Sequence, residues 1–157
     1  MKKYLLALFI VISTLIKAQN NGKTNTTFYN LENNIAIQGY DPVSYFTINK
    51  ATKGSPKTSS KHNGVTYYFS SESNKKIFNA NPEKYEPQYG GWCAFAIGNS
   101  GEKIKIDPNT FKLIDGKLYL FYNFYFTNTL KSWNKDEKKL KNKADYNWKI
   151  INKKGEN

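Results

Sequence analysis

Chemistry has few places to start in this chain. Its 157 residues include one cysteine and one histidine. Cys93 stands in Tyr89-Gly90-Gly91-Trp92-Cys93-Ala94, behind two glycines and between aromatics. Glycine lets a backbone approach a neighbour closely. A thiol there can be a soft-metal ligand, a redox-active group or a cofactor contact. It can equally be a small buried residue, because free cysteine is among the most buried types. One cysteine and one histidine are too few for a closed zinc site. An open copper site would pair Cys93 with a ring or backbone group and an exogenous ligand. His62 precedes Asn63-Gly64, which reads as an exposed hairpin tip, so no Cys–His nucleophilic pair is evident.

A second constellation is aromatic. Tyr40, Tyr45, Tyr67, Tyr68, Tyr85, Tyr89 and Trp92 can fill a core, or line a pocket around Gly90-Gly91 with Asp41 as polar anchor. On the pocket reading the ligand-binding residues are Tyr40, Asp41, Tyr45, Tyr89, Gly90, Gly91 and Trp92, with Cys93 as metal ligand. No paired carboxylate marks Asp41 as a general acid or base. It also fits a turn, since it precedes Pro42.

The elements that must position these residues are short. Ile35 to Gln38 predict a strand, and Val43 to Phe46 an extended or helical segment. Residues 47 to 60 read as a polar loop. Asn63-Gly64 predicts a tight hairpin turn leading into the strand Val65 to Phe69, with Val65, Tyr67 and Phe69 on one face. Ser70 or Ser71 caps a helix to about Asn79, stopped by Pro82. Lys103 to Ile106 predict a strand and Asp107-Pro108 a turn. Asp115-Gly116 joins two apolar runs, a hairpin signal. Phe126, Leu130 and Trp133 recur at helical spacing. Asn134 with Glu137 resembles a capping box before a stripe of Leu140, Ala144 and Trp148. The succession of glycine turn, aromatic strand and helix occurs at 64–78 and again at 116–133.

Lys2 and Lys3 followed by an apolar run from Leu5 to Ile16 predict a signal peptide over 1–18. That run is short of the roughly 20 residues a membrane span needs. The reading places the protein outside the cytoplasm, periplasmic or secreted. Residues 19–34 read as a flexible lead-in, 35–150 as one domain and 151–157 as a polar tail. The formal net charge is +12, carried by lysine alone, with no arginine. Nucleic-acid readers rely on arginine for bidentate contacts, so a solvated lysine surface is expected and no nucleic-acid partner.

Three separated segments carry a resemblance. Gly39-Tyr40-Asp41-Pro42-Val43-Ser44-Tyr45-Phe46, Gly64 to Phe69, and Asn81-Pro82-Glu83-Lys84-Tyr85 together resemble the YHS domain. Exported members of that family are similar at Tyr89 to Ala94, at Asp115-Gly116-Lys117-Leu118-Tyr119-Leu120, and at Ala144-Asp145 to Trp148. The resemblance spans roughly residues 36 to 148. It implies an α+β fold: small antiparallel hairpins packed with a few short helices, a treble-clef-like core and a C-terminal hairpin–helix extension. It also implies a metal-associated binding module with copper or zinc as candidate ions, a metal ion or small molecule as partner, and no evident catalytic machinery. Yet where metal-binding relatives carry cysteines, this chain has Ser44, Ser70 and Asn74. A hydroxyl and an amide are weak ligands for soft cations, so those positions read as structural. The alternatives kept are a thiol-dependent redox protein or enzyme using Cys93, and a structural or partner-binding domain with Cys93 buried.

Overall fold

A computed structural model describes residues 26–154. The expected signal segment lies outside the described residues, as do 19–25 of the lead-in and 155–157 of the tail.

The fold grows from two-residue turns. Asn33-Asn34, Asn63-Gly64 and Asp115-Gly116 all have both residues at positive φ, the pattern whose twist matches that of paired strands. The first joins β1 (Leu31–Glu32) to β2 (Ile35–Ala36). The second joins β3 (Ser55–His62) to β4 (Val65–Phe69). The third joins β5 (Asp107–Ile114) to β6 (Lys117–Phe121). The first four strands form one sheet in the order β1-β2-β4-β3, with β2 parallel to β4. β4 alternates as its sequence requires, with Val65, Tyr67 and Phe69 buried.

Helices close the sheet. The short α1 (Ser44–Thr47) follows the Asp41 turn. α2 (Glu72–Ala80) is capped by Ser71, whose side chain accepts from the Asn74 amide. Pro82 ends that run and opens α3 (Pro82–Tyr85) at a position where its missing N–H costs nothing. α4 (Ala94–Asn99) follows the glycine segment. α5 (Thr129–Trp133) and α6 (Glu137–Lys154) complete the chain. The architecture is mixed α+β, with small antiparallel sheets and short helices.

Two apolar cores share one wall. Leu118 and Leu120 of β6 pack with Val43, Tyr45, Tyr67, Phe69 and Phe78. Tyr119 and Phe121, pointing the other way, pack with Tyr89, Ala94, Ile97, Trp133 and Ala144. A strand between two cores is apolar on both faces, which is why Leu-Tyr-Leu-Phe shows no alternation.

Several expectations are corrected. Residues 26–34, which composition alone makes a lead-in, carry a 3-10 turn and β1. The polar 47–60 segment contains most of β3, whose Ser and Lys side chains lie on a sheet edge. Lys103 to Ile106 form no strand, and Asp107-Pro108 begins β5 rather than a free turn. Phe126 is not on α5; it stands in a turn between β7 (Asn123–Phe124) and β8 (Thr127–Asn128). Asn134 and Glu137 form no capping box. Glu137 instead accepts from the Trp133 indole at 3.0 Å and binds Lys112, which also donates to Asn134. Residues 151–154, expected as tail, continue α6.

Candidate functional site

Asp41 is fully buried. Its Oδ1 accepts from the Val43 amide at 2.9 Å, closing the turn that Pro42 initiates. Its Oδ2 accepts from the Ser70 amide at 2.9 Å, the Ser70 hydroxyl at 2.6 Å and Asn74 Nδ2 at 2.7 Å. Ser44, buried beside it, donates to the Asp41 carbonyl at 2.8 Å. Ser70 and Asn74 therefore gather on the Asp41 carboxylate, and Ser44 on the backbone carbonyl of the same residue. These are the positions at which the metal modules described above carry cysteines. The donor set does not fit a soft metal, because no thiolate or imidazole is present. Nor does it leave the carboxylate open to a hard cation, because amide and hydroxyl hydrogens already point at its lone pairs. The cluster fastens the Asp41 turn to the β4–α2 junction.

Cys93 is also buried, at the N-terminus of α4. Thr129 Oγ1 donates its only proton to the Tyr122 carbonyl at 3.0 Å. The Cys93 S–H is thus left to donate to Thr129 Oγ1, while Sγ accepts from the Tyr122 amide, both at 3.4 Å. The three groups close a ring that ties α4 to the segment after β6 and to the start of α5. A cavity of about 210 Å³ lies alongside, bordered by Phe95, Ile104, Tyr122 and Thr129. Cys93 forms its floor and exposes no surface. We expect iodoacetamide to label Cys93 only once denaturant unfolds the chain. Cys93→Ala should cost roughly 1–2 kcal/mol in denaturant unfolding, because the Tyr122 amide loses its acceptor. Fast labelling of the native protein would contradict this placement. Among the described residues, no three His, Cys, Asp or Glu side chains come together in a way that could hold a metal ion.

Tyr89, Gly90 and Gly91 form a left-handed turn, with φ of 55°, 60° and 82°. A β-carbon on Gly90 would lie 2.3 Å from the Phe28 carbonyl oxygen. The close approach that glycine permits is thus made by the chain's own N-terminal segment. Asn30 N donates to the Gly90 carbonyl at 2.8 Å and Asn30 Nδ2 to the Gly91 carbonyl at 3.0 Å. The Trp92 indole donates to the Phe28 carbonyl at 2.9 Å.

That junction borders a cleft of about 550 Å³. Phe28, Tyr29 and Trp148 supply its apolar walls, Glu83, Glu86 and Asp145 its carboxylates, and Lys117 and Lys149 its ammonium groups. Tyr89 and Gly90 line it. The Tyr89 phenol donates to Asp145 at 2.8 Å, and Lys141 holds the other Asp145 oxygen at 2.9 Å. Glu86 accepts from the buried Tyr67 phenol at 2.8 Å.

Burial, and then the neighbouring carboxylates, push the Tyr67 and Tyr89 phenols well above their ordinary range. Tyr45, held by the Pro108 carbonyl, is raised chiefly by burial. A folded phenol that keeps its proton longer than an unfolded one loses stability as pH rises past the ordinary value. Alkaline unfolding should therefore begin near pH ~10. The tyrosinate absorbance of these three phenols should rise together with loss of secondary structure. Ionisation of all phenols before unfolding would refute their burial.

The residues singled out from sequence do not form one site. Tyr89 and Gly90 line the cleft, Gly91 backs it, and Trp92 braces Phe28. Asp41 and Tyr45 are buried away from solvent. Tyr40 lies under Lys53, whose Nζ is 4.5 Å from its ring centroid. His62 stacks edge-on to Phe78. Sequence reading missed Phe28, Glu83, Glu86, Asp145 and Trp148 as a group, since only folding assembles them. Their local signals were the Asn81 to Tyr85 motif, which holds Glu83, and the Ala144 to Trp148 segment, which holds Asp145 and Trp148.

Comparison with curated proteins and with solved structures returns no match to the chain. The matched family segment runs from the Asp41 turn to the tyrosine of the glycine turn, includes Ser44, Ser70 and Asn74, and stops short of Cys93. Residues 41–89 match the family model of the YHS domain, and the chain carries a YHS domain over that segment.

Proposed function

We propose that this protein is an exported, non-enzymatic binding module that takes a small organic ligand in the cleft beside Tyr89 and Gly90. One observation carries the reading: this cleft joins aromatic walls, carboxylates and ammonium groups in one concavity, the composition of small-molecule sites. Phe28 and Trp148 suit a planar apolar body. The mixed charge around them suits a ligand bearing both an amine and a carboxylate. A metal ion fits less well. The Asp41 cluster is saturated with hydrogen-bond donors, and the Cys93 sulfur is occupied by Tyr122 and Thr129.

The test is a thermal-shift titration with free aromatic amino acids, alongside their decarboxylated amines and deaminated acids. The zwitterions should raise the melting temperature, and Trp148→Ala should abolish the rise. Equal shifts in wild type and Trp148→Ala, or none with any probe, would overturn the reading. A shift with Cu(I) or zinc that Cys93→Ala removes would restore the metal reading.

A further inference from the structure

The β7–β8 hairpin breaks the rule followed by the other tight turns. Its two central residues are Tyr125 and Phe126, with φ of 49° and 65°. The other three such turns place Asn-Asn, Asn-Gly and Asp-Gly there. Those residues tolerate positive φ, whereas a bulky side chain there is an outlier. The strain brings no packing in return: Tyr125 is 85% exposed and Phe126 111%. Strained, exposed residues of this kind mark functional positions.

The surroundings indicate what the tip meets. Ile104, 37% exposed, borders the cavity that Tyr122 and Thr129 line on either side of the hairpin. Lys103 and Lys105 flank Ile104 and are exposed. The Lys105 ammonium lies 5.1 Å from the Phe124 ring centroid, whereas that of Lys103 donates to the Thr27 carbonyl at 3.0 Å and lies over the Phe28 and Trp92 rings. Of the nearby carboxylates, Glu102 accepts from Ser100 and Asp107 is held by Asn109, Thr110 and Asn123. The chain as a whole has 24 lysines against 12 acidic residues. An exposed aromatic tip beside the Lys105 ammonium, on a lysine-rich chain, is complementary to an anionic bilayer surface, where rings seat at headgroup depth and ammonium groups meet lipid phosphates.

We propose that the Tyr125–Phe126 hairpin tip docks this protein peripherally on anionic lipid membranes, with Lys105 supplying electrostatic attraction beside it. No residue of the tip belongs to the cleft beside Tyr89, so this docking stands or falls separately from ligand binding.

The test is co-sedimentation of the full chain with phosphatidylcholine vesicles, with and without phosphatidylglycerol. The decisive variant is Tyr125→Asn with Phe126→Gly. It gives the turn its preferred residues and should fold at least as stably as wild type. Wild type should bind the anionic vesicles and not the neutral ones, and weaken as salt rises. The double variant should lose about tenfold in partitioning, and Lys105→Glu should weaken it in the same direction, in line with the dependence of surface binding on buried apolar area and charge. Absence of wild-type binding overturns the proposal. Equal binding by the Asn-Gly variant overturns it as well, leaving only unspecific lysine attraction.

Discussion

Asp41→Asn should lower the stability of the protein by roughly 3 kcal/mol, because one carboxylate satisfies four donors and an amide cannot. Three of those donors converge on Oδ2. Whichever way an asparagine amide turns, its NH2 faces hydrogens on one side, and buried groups are left unpaired. The melting temperature should fall by about 10 °C. Ser70→Ala and Asn74→Ala should each cost less, since each removes a donor and leaves the carboxylate its other partners. The double variant should not be the sum of the singles, because the members share one acceptor. Urea unfolding of all four variants checks this. An Asp41→Asn protein within about 0.5 kcal/mol of wild type, the usual range for an unremarkable surface change, would show that the cluster fastens nothing.

Gly90→Ala should be the second severe lesion, and for a different reason. Positive φ alone costs an L-residue about 1 kcal/mol. Gly116 isolates that term, with φ of 70° and nothing within 4 Å of an added β-carbon. At Gly90 the added carbon would lie against a backbone carbonyl, that of Phe28, at 2.3 Å. Backbone cannot swing aside as a long side chain does, so residues 28–30 must move. That movement breaks the bonds from Asn30 and Trp92. We expect roughly 3 kcal/mol in total, since several bonds worth about 1 kcal/mol each are lost beyond the φ term. Gly116→Ala should cost only about 1 kcal/mol. Gly90→Ala should also expose the 26–30 segment to protease and deform the cleft wall that Phe28 provides. Equal losses at the two glycines would mean that the close approach at Gly90 has no energetic weight.

The two substitutions separate roles that the sequence presents together. In sequence, the Asp41 turn and the glycine turn both look like ligand positions. In the fold, Asp41 fastens the turn to the β4–α2 junction, while the glycine turn receives the N-terminal segment and borders the cleft. Ser44, Ser70 and Asn74 surround Asp41 with hydrogen-bonding groups. A network of buried, mutually satisfied polar groups can hold loops together as a metal would, with no ion required.

The sequence by itself determined what depends on neighbours within a few residues. Asn63-Gly64 and Asp115-Gly116 set their hairpins because few residues accept positive φ. The alternation of Val65, Tyr67 and Phe69 identified the buried face of β4. A serine cap and Pro82 bounded α2. The ordered motifs from Asp41 to Tyr89 identified the YHS segment. Only the tertiary structure decided what depends on distant partners. Asp41 meets Ser70 and Asn74 across 29 and 33 residues, and Asn30 meets Gly91 across 61. Periodicity and turn chemistry carry no information at those separations. The burial and hydrogen bonding of the Cys93 sulfur come from Tyr122 and Thr129, which lie far along the chain. What Gly90 and Gly91 make room for was settled by Phe28 and Asn30, which lie in a segment whose polar composition marks it as linker. Local sequence signals specify conformations; the burial of a thiol, the filling of a carboxylate and the walls of a cleft are made by side chains that only the folded chain brings into contact.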